Sequence, residues 1–152
     1  MSGSDVKAVF ITADTNAADN ASISANARPN TDFTIGGTDA SGGVATFAAG
    51  RIVTATTAGT GDSGKTVTIT GTDVNGAVQT ETITLPGSAT TTSGTKFFKT
   101  VTAASASTQP AANVSLGHAA GAADVVFAGR SRLQGLNTVS YTHLTLPTTP
   151  YV

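Results

Sequence analysis

The stretch that most constrains the fold is KTVTITGTDVNGAVQTETITL, residues 65–85. Apolar residues alternate with threonine along both arms, at Val67 and Ile69 and again at Ile83. A period of two is typical of a strand that buries one face. The tetrad DVNG, residues 73–76, separates the arms with residues that favour turns. The segment is therefore predicted to be a β-hairpin.

Side-chain faces restrict the turn of this hairpin. A two-residue turn at residues 75–76 would place Ile69 opposite Thr82, so that an apolar face would meet a polar one. A three-residue loop with Gly76 in the left-handed conformation instead pairs Ile69 with Glu81. This register brings the apolar sets to one face, and we predict it, with Glu81 near the rim of that face.

Composition extends the β interpretation to the whole chain. Threonine fills 29 of the 152 positions, while only 11% of residues are charged and 5% are aromatic. Threonine is β-branched and suits a half-exposed pleated surface, and 17 glycines supply turns. The sequence predicts an all-β antiparallel sandwich built from hairpins, either immunoglobulin-like or jelly-roll-like. Its core is expected to be thin, so oligomerisation would add stability.

Charge and residue usage exclude several classes of partner and site. A net charge of −1 leaves no basic excess for phosphates, so nucleic acid is not expected as a partner. The chain has no cysteine, which excludes disulfides and thiolate metal sites. No apolar run reaches membrane-spanning length, and the first residues do not resemble a secretory signal.

The pattern divides the chain into four parts. Residues 1–31 are predicted to contain a weak strand at 5–12 followed by a polar, alanine-rich arm. Residues 32–118 form the β-sandwich, and residues 119–138 form a linker and the start of a truncated second β-domain. Residues 139–152 contain VSYTHLTLPT, which resembles translated sequencing-adapter DNA, so this tail carries no weight in fold or function.

Within the predicted sandwich, short alternating runs separated by turn residues mark further strands. The chain contains two similar segments, TIGGTDASGGV at residues 34–44 and TITGTDVNGAV at residues 68–78. Two copies are too few for a repeat architecture, so both are predicted to be hairpins with the same turn chemistry. Besides the central hairpin, strands are predicted at residues 33–35, 44–47, 51–57, 96–103 and 113–116.

The sequence GTGDSGKT, residues 59–66, matches the phosphate-binding P-loop pattern letter for letter. That loop functions because the N-terminus of a following helix directs its N–H groups at phosphate. Here the next residues are TVTITGTD, whose β-branched alternation predicts a strand. We therefore predict that Lys65 and Thr66 begin a strand after a glycine turn and bind no nucleotide.

The same segment contains GDSG, the sequence around the nucleophile of trypsin-like proteases, with Ser63 in the nucleophile position. Such a serine needs a histidine base and an acid that orients it. Outside the tail the chain has one histidine, His118, which lies downstream, whereas the protease order requires it upstream. We interpret His118 as an exposed residue at a strand end and predict no enzymatic activity.

Calcium is the third candidate ligand. Asp14 and Asn16 with Asp19, and Asp73 with Asn75, place a few oxygen atoms at short spacing. A calcium site needs six to eight oxygen ligands, and such residues commonly bond to their own turn. No metal site and no cofactor are predicted.

With these residues in view, a resemblance emerges over residues 33–116. The runs TIGGTDASGGVATF, GRIVTATTAGTGDSGKTVTITGTDVNGAVQTETITLPGS and TKFFKTVT are similar to small virion structural proteins of tailed bacteriophages. The resemblance implies a non-enzymatic protein that decorates or stabilises the capsid. It implies location at the virion surface after assembly in the host cytoplasm, with the major capsid protein, other virion proteins or further copies as partners.

Basic residues are the expected contacts to an acidic capsid surface, with solvated strand-edge charges as the alternative. The alternative function is a bacterial cell-surface or adhesin module, since threonine-rich β-sandwiches also occur there. The basic candidates are Arg51, Lys96, Lys99, Arg130 and Arg132.

Overall fold

The computed structural model describes residues 17–121, which form seven strands and no helix. Alternating burial shows how the sequence produces them: along Thr66–Thr72 every second residue is buried, and the intervening threonines are partly exposed. The strands are β1 (Asp19–Ala27), β2 (Ala40–Ser41), β3 (Val44–Thr57), β4 (Thr66–Thr72), β5 (Val78–Thr84), β6 (Thr91–Ala106) and β7 (Val114–His118).

All pairings are antiparallel and join the strands in one sheet. The strand order is β1-β7-β3-β6-β4-β5, with the short β2 attached to β3. The predicted all-β antiparallel class is confirmed. One buried apolar cluster takes residues from six of these strands, which is compatible with the predicted sandwich.

The two long strands, β3 and β6, allow the sheet to fold over. Their pairing carries register shifts between Thr46 and Arg51 and between Ile52 and Thr54. Extra unpaired residues bend a strand and increase its twist. At the first shift the Lys99 ammonium donates to the carbonyl oxygens of Phe47 and Ala48, at 2.6 and 2.7 Å.

A single apolar cluster lies inside the folded sheet. It takes residues from six strands, from the segment before β2 and from Leu85 directly after β5, and Phe98 is its largest fully buried side chain. Phe33 and Ile35 belong to it without lying in a named strand, since Phe33 N–H donates to the carbonyl oxygen of Ala104 in β6. The core is therefore built mostly from valine, isoleucine and leucine, with three of the six phenylalanines of the chain.

The central hairpin has the predicted register. Ile69 pairs with Glu81 and Val67 pairs with Ile83, and Gly76 has a φ of +83°. The N–H of Asp73 donates to the carbonyl oxygen of Ala77, which closes a three-residue loop. Both the loop length and the left-handed glycine are confirmed.

The similar segment at residues 34–44 also ends in a hairpin, but its turn differs from that of the central hairpin. Ser41 pairs with Val44, so β2 and β3 are joined by only two residues, Gly42 and Gly43. Both have positive φ, which a two-residue turn of this kind requires. Alanine stands at the position equivalent to Gly43 in the second copy, so the prediction of identical turn chemistry is wrong.

Four sequence predictions need correction. The strand predicted at 33–35 does not form, although Phe33 and Ile35 are buried in the core. The segment predicted as a polar arm contains β1, whose Ile23 is fully buried in the core. The two strands predicted at 44–47 and 51–57 are one strand, β3. The strand predicted from residue 96 begins at Thr91. The strand predicted at 5–12, the second β-domain and the tail lie outside the described residues.

Candidate functional site

Residues 59–65, which match the P-loop pattern, form a loop between β3 and β4. We call it the docking loop, because it bonds to the chain's own segment before β7. β4 begins at Thr66, so the predicted strand after Lys65 is confirmed. Asp62 is fully buried, and its carboxylate accepts hydrogen bonds from the N–H groups of Ala111 and Ala112 and from the Lys65 ammonium at 3.1 Å. The same ammonium donates to the Gln109 carbonyl oxygen. These contacts fasten the loop to the segment before β7.

Opposing influences act on the pKa of Asp62. Burial raises this pKa, whereas the hydrogen bond from Ala111 N–H, the Lys65 ammonium and Ala112 N–H lower it. The hydrogen bonds prevail, so the pKa lies below its ordinary value and the carboxylate stays ionised. Lys65 and Asp62 are thus committed to each other and to backbone groups. Ser63 beside them is exposed.

His118 lies at the end of β7, as predicted, but it is buried rather than exposed. Its Nε2 is 3.4 Å from a carboxylate oxygen of Asp39, and its Nδ1 is 3.0 Å from the Ala119 carbonyl oxygen. Its ring meets Phe47 edge to face, with 5.6 Å between the centroids. The sequence signal was weak because Asp39 and Phe47 are distant along the chain.

The calcium candidates bond mainly to their own turns. The Asp73 carboxylate accepts from Ala77 N–H and from Asn75 N–H, and these hydrogen bonds lower the pKa of Asp73, although burial opposes them. Asp19 accepts from Ala21 N–H and from the Thr38 hydroxyl, and both hydrogen bonds lower its pKa. Asp14 and Asn16 lie outside the described residues, and within 17–121 no group of three metal-binding side chains forms.

The basic residues expected to contact a capsid are engaged within the chain. Arg51 is buried, and its guanidinium donates to the Gly121 carbonyl oxygen at 3.1 Å, so it is not a surface charge. Lys96 donates to the Thr80 carbonyl oxygen at 2.6 Å, and Lys99 donates at the β3 bend. Arg130 and Arg132 lie outside the described residues.

Glu81 links β5 to β6 through side-chain hydrogen bonds. It lies on β5, opposite the buried Ile69, near the rim of the core as predicted. Its carboxylate accepts from the N–H groups of Thr95 and Lys96 and from the Thr95 hydroxyl, although β5 and β6 are not paired. A Cβ on Gly94 would overlap this carboxylate, so Gly94 leaves the space that Glu81 occupies.

We expect Glu81→Ala to lower the free energy of unfolding by about 1–2 kcal/mol, because two backbone donors lose their acceptor. Gly94→Ala should cost a similar amount by displacing the carboxylate. In the double variant Gly94→Ala should cost little further stability, because the added Cβ overlaps only the Glu81 side chain, which is then absent. Urea unfolding of the four proteins measures this coupling, and strictly additive costs would contradict it.

The outer surface of β4, β5 and the end of β6 is covered by threonine. Thr66, Thr68 and Thr70 pair with Thr84, Thr82 and Thr80 across β4 and β5. The hydroxyls of Thr72 and Thr100 lie 2.7 Å apart. We call this surface the threonine face. Its members are Thr66, Thr68, Thr70, Thr72, Thr80, Thr82, Thr84, Thr100 and Thr102, all half-buried or exposed.

The threonine face is uncharged and regular, because β-strands place alternate side chains on one side at fixed spacing. A surface of this kind can pack against another protein without removing a charge from water. The sequence predicts these threonines as strand residues, and the pairing of β4 with β5 and β6 brings them to one surface. The signal that could have found it is the alternation TVTITGT and TETIT in the confirmed register.

Comparison with known proteins identifies no relative. No family model matches this chain, and no curated protein and no solved structure matches it. In the described part, residues 17–121, no helix is long and apolar enough to cross a membrane.

Proposed function

We propose that this chain is a non-enzymatic structural protein of a tailed-bacteriophage virion that decorates or stabilises the capsid. The observation that carries the proposal is that five of its charged side chains bond to the chain's own backbone. These hydrogen bonds hold loops and strands in place, and the side chains that make them are Asp62, Lys65, Glu81, Lys96 and Lys99. The resemblance of residues 33–116 to virion proteins supports the same role.

The threonine face is the proposed contact to the virion. Electrostatic attachment through Arg51, Lys96 and Lys99 is not supported, since their charged groups bond within the chain. An uncharged, regular surface suits a partner that presents the same site many times, as a capsid lattice does. The proposed partners are the major capsid protein or other virion proteins, and further copies of this chain.

In this proposal the protein acts at the particle surface and is present in the host cytoplasm during assembly. Nucleic acid is not a proposed partner, because the net charge of −1 provides no excess of cations for phosphates. No cofactor or metal is proposed.

The first experiment is to sequence the source DNA across codon 139 and into the neighbouring genes. We expect a continuing β-patterned frame beside portal and major capsid genes. Tandem repeats followed by a wall anchor would instead identify an adhesin and overturn the proposal. A frame that truly encodes VSYTHLTLPT would contradict the predicted truncation.

The second experiment mixes the purified protein with capsids assembled from the neighbouring major capsid gene. We expect co-sedimentation, and we expect Thr68→Lys with Thr102→Lys to weaken it at least roughly tenfold by placing desolvated charges in the contact. Thr60→Lys with Thr108→Lys is the matched control, since both threonines are exposed outside the face. Equal binding by both variants would exclude the threonine face.

A further inference from the structure

We propose that the outer edge of β5 pairs in antiparallel orientation with β5 of a second copy of this chain. The inference deepens the proposed function by naming the contact between copies. It depends on the sheet alone, however, so it can be tested without a capsid.

The backbone groups at this edge follow from the confirmed hairpin register. The N–H of Asp73 donates to Ala77, and the N–H of Leu85 donates to Lys65. Antiparallel strands alternate, so odd-numbered residues of β5 bond to β4 and even-numbered residues direct their N–H and C=O groups away from it. Within residues 17–121, β5 pairs with β4 and with no other strand.

The opposite edge of the sheet differs because it is covered. At β1, the N–H groups of Gly36 and Gly37 donate to the Ile23 carbonyl oxygen, and that of Asp39 donates to Ser22. The segment before β2 therefore satisfies the outer side of β1. At the other end of the strand order the outer side of β5 is covered only at Thr80, whose carbonyl oxygen accepts from the Lys96 ammonium at 2.6 Å, and in the described chain no strand pairs outside Thr82 and Thr84.

The β5 edge carries two charged groups, the Glu81 carboxylate and the Lys96 ammonium on the Thr80 carbonyl oxygen, and both bond within the chain. Its outward side chains, Val78, Thr80, Thr82 and Thr84, are uncharged, and β5 contains no proline. Val78 is 78% exposed and is the large apolar residue that the described structure leaves in solvent. A second copy meets no repulsion from these side chains, whereas a strongly charged partner would find no counter-charge on them.

Charge also selects the register between the copies. A register centred on Glu81 would place two glutamates directly opposite each other, which is unfavourable. Centring the pair on Thr82 places Glu81 opposite the partner's Ile83 and Thr80 opposite the partner's Thr84. Each Thr82 N–H then donates to the carbonyl oxygen of the partner's Thr82. The threonine pairs already present between β4 and β5 continue into the second copy.

Cysteine cross-linking tests the register, because the full chain contains no cysteine of its own. Directly opposite residues in a hydrogen-bonded antiparallel pair have Cα atoms about 5.5 Å apart, within reach of a disulfide. We expect Thr82→Cys to give a covalent dimer on oxidation and Thr84→Cys to give none. An equimolar mixture of Thr80→Cys and Thr84→Cys should cross-link.

Thr82→Pro tests the edge itself. Proline removes the outward N–H of Thr82 and leaves the bonds to β4 intact, since that group does not point toward β4. We expect the dimer dissociation constant, measured by sedimentation equilibrium, to rise at least roughly tenfold, with little change in the unfolding midpoint of the monomer. Thr82→Val keeps the N–H and should remain a dimer.

Two outcomes would overturn the inference. The first is a wild-type chain that stays monomeric at high concentration, together with a Thr82→Cys variant that does not cross-link on oxidation. The second is a Thr82→Pro protein that loses stability without a change in mass, which would mean that the chain's own residues cover the edge. Capsid binding that persists in either case would leave the proposed function standing while the dimer is rejected.

Discussion

Alanine at Gly71 is expected to lower the free energy of unfolding by about 3 kcal/mol or more. Gly71 lies in β4 opposite Val101 of β6, directly after a register shift. A Cβ there would overlap the carbonyl oxygen of Thr100 and lie 2.9 Å from its carbonyl carbon. Both atoms are backbone in a paired strand, so relief requires β4 and β6 to separate.

Gly36→Ala is the matched control for this substitution. A Cβ at Gly36 has the Thr34 methyl group as its nearest neighbour, at 3.9 Å. This glycine does not have a positive φ, so alanine should change stability by no more than about 0.5 kcal/mol. Urea unfolding followed by circular dichroism measures both variants. Equal stability of the two would show that β4 and β6 do not approach as closely as described.

Asp62→Ala is the second substitution with a large expected effect, and it should lower the free energy of unfolding by about 3 kcal/mol. The substitution leaves the N–H groups of Ala111 and Ala112 without their acceptor and removes the counter-charge of Lys65. Asp73→Ala at the exposed hairpin loop is the comparison, and we expect a smaller loss there. A loss at Asp62 no greater than at Asp73 would contradict the role of the docking loop.

The pH dependence of stability provides an independent test of Asp62. Its pKa in the folded protein lies below the ordinary value of 3.8, so ionisation favours the folded state. Its contribution is therefore complete above the unfolded-state pKa and is lost as pH falls through the lower folded-state pKa. Asp19 and Asp73 act in the same direction. Unfolding between about pH 6 and about pH 2 should show a shallower loss of stability in Asp62→Ala than in the wild type.

Local pattern was sufficient for the central hairpin. Its register, loop length and left-handed Gly76 follow from neighbouring residues, because a shift by one would turn Ile69 and Ile83 to opposite faces. The strand that begins after Lys65 could be predicted for the same reason. Alternation and β-branching act over a few residues and need no distant partner.

Long-range contacts decided what the pattern missed. In β1, Ile23 stands alone among small and polar residues, and its strand forms because β7, at the far end of the described chain, pairs with it. At the first register shift of β3 the Phe47 carbonyl oxygen accepts from Lys99, and the buried His118 lies against Asp39 and Phe47. No window of neighbouring residues contains these partners.

Residue types and their spacing were enough to predict the strand period and the central turn. Each depends on residue type or on contacts a few positions apart. Three further features required the full fold: which charged groups bond within the chain, which threonines share one face, and which edge of the sheet has no strand outside it in the described residues. These depend on where distant strands meet, because a side chain's hydrogen-bond partners and exposure are set by packing that spans the whole chain.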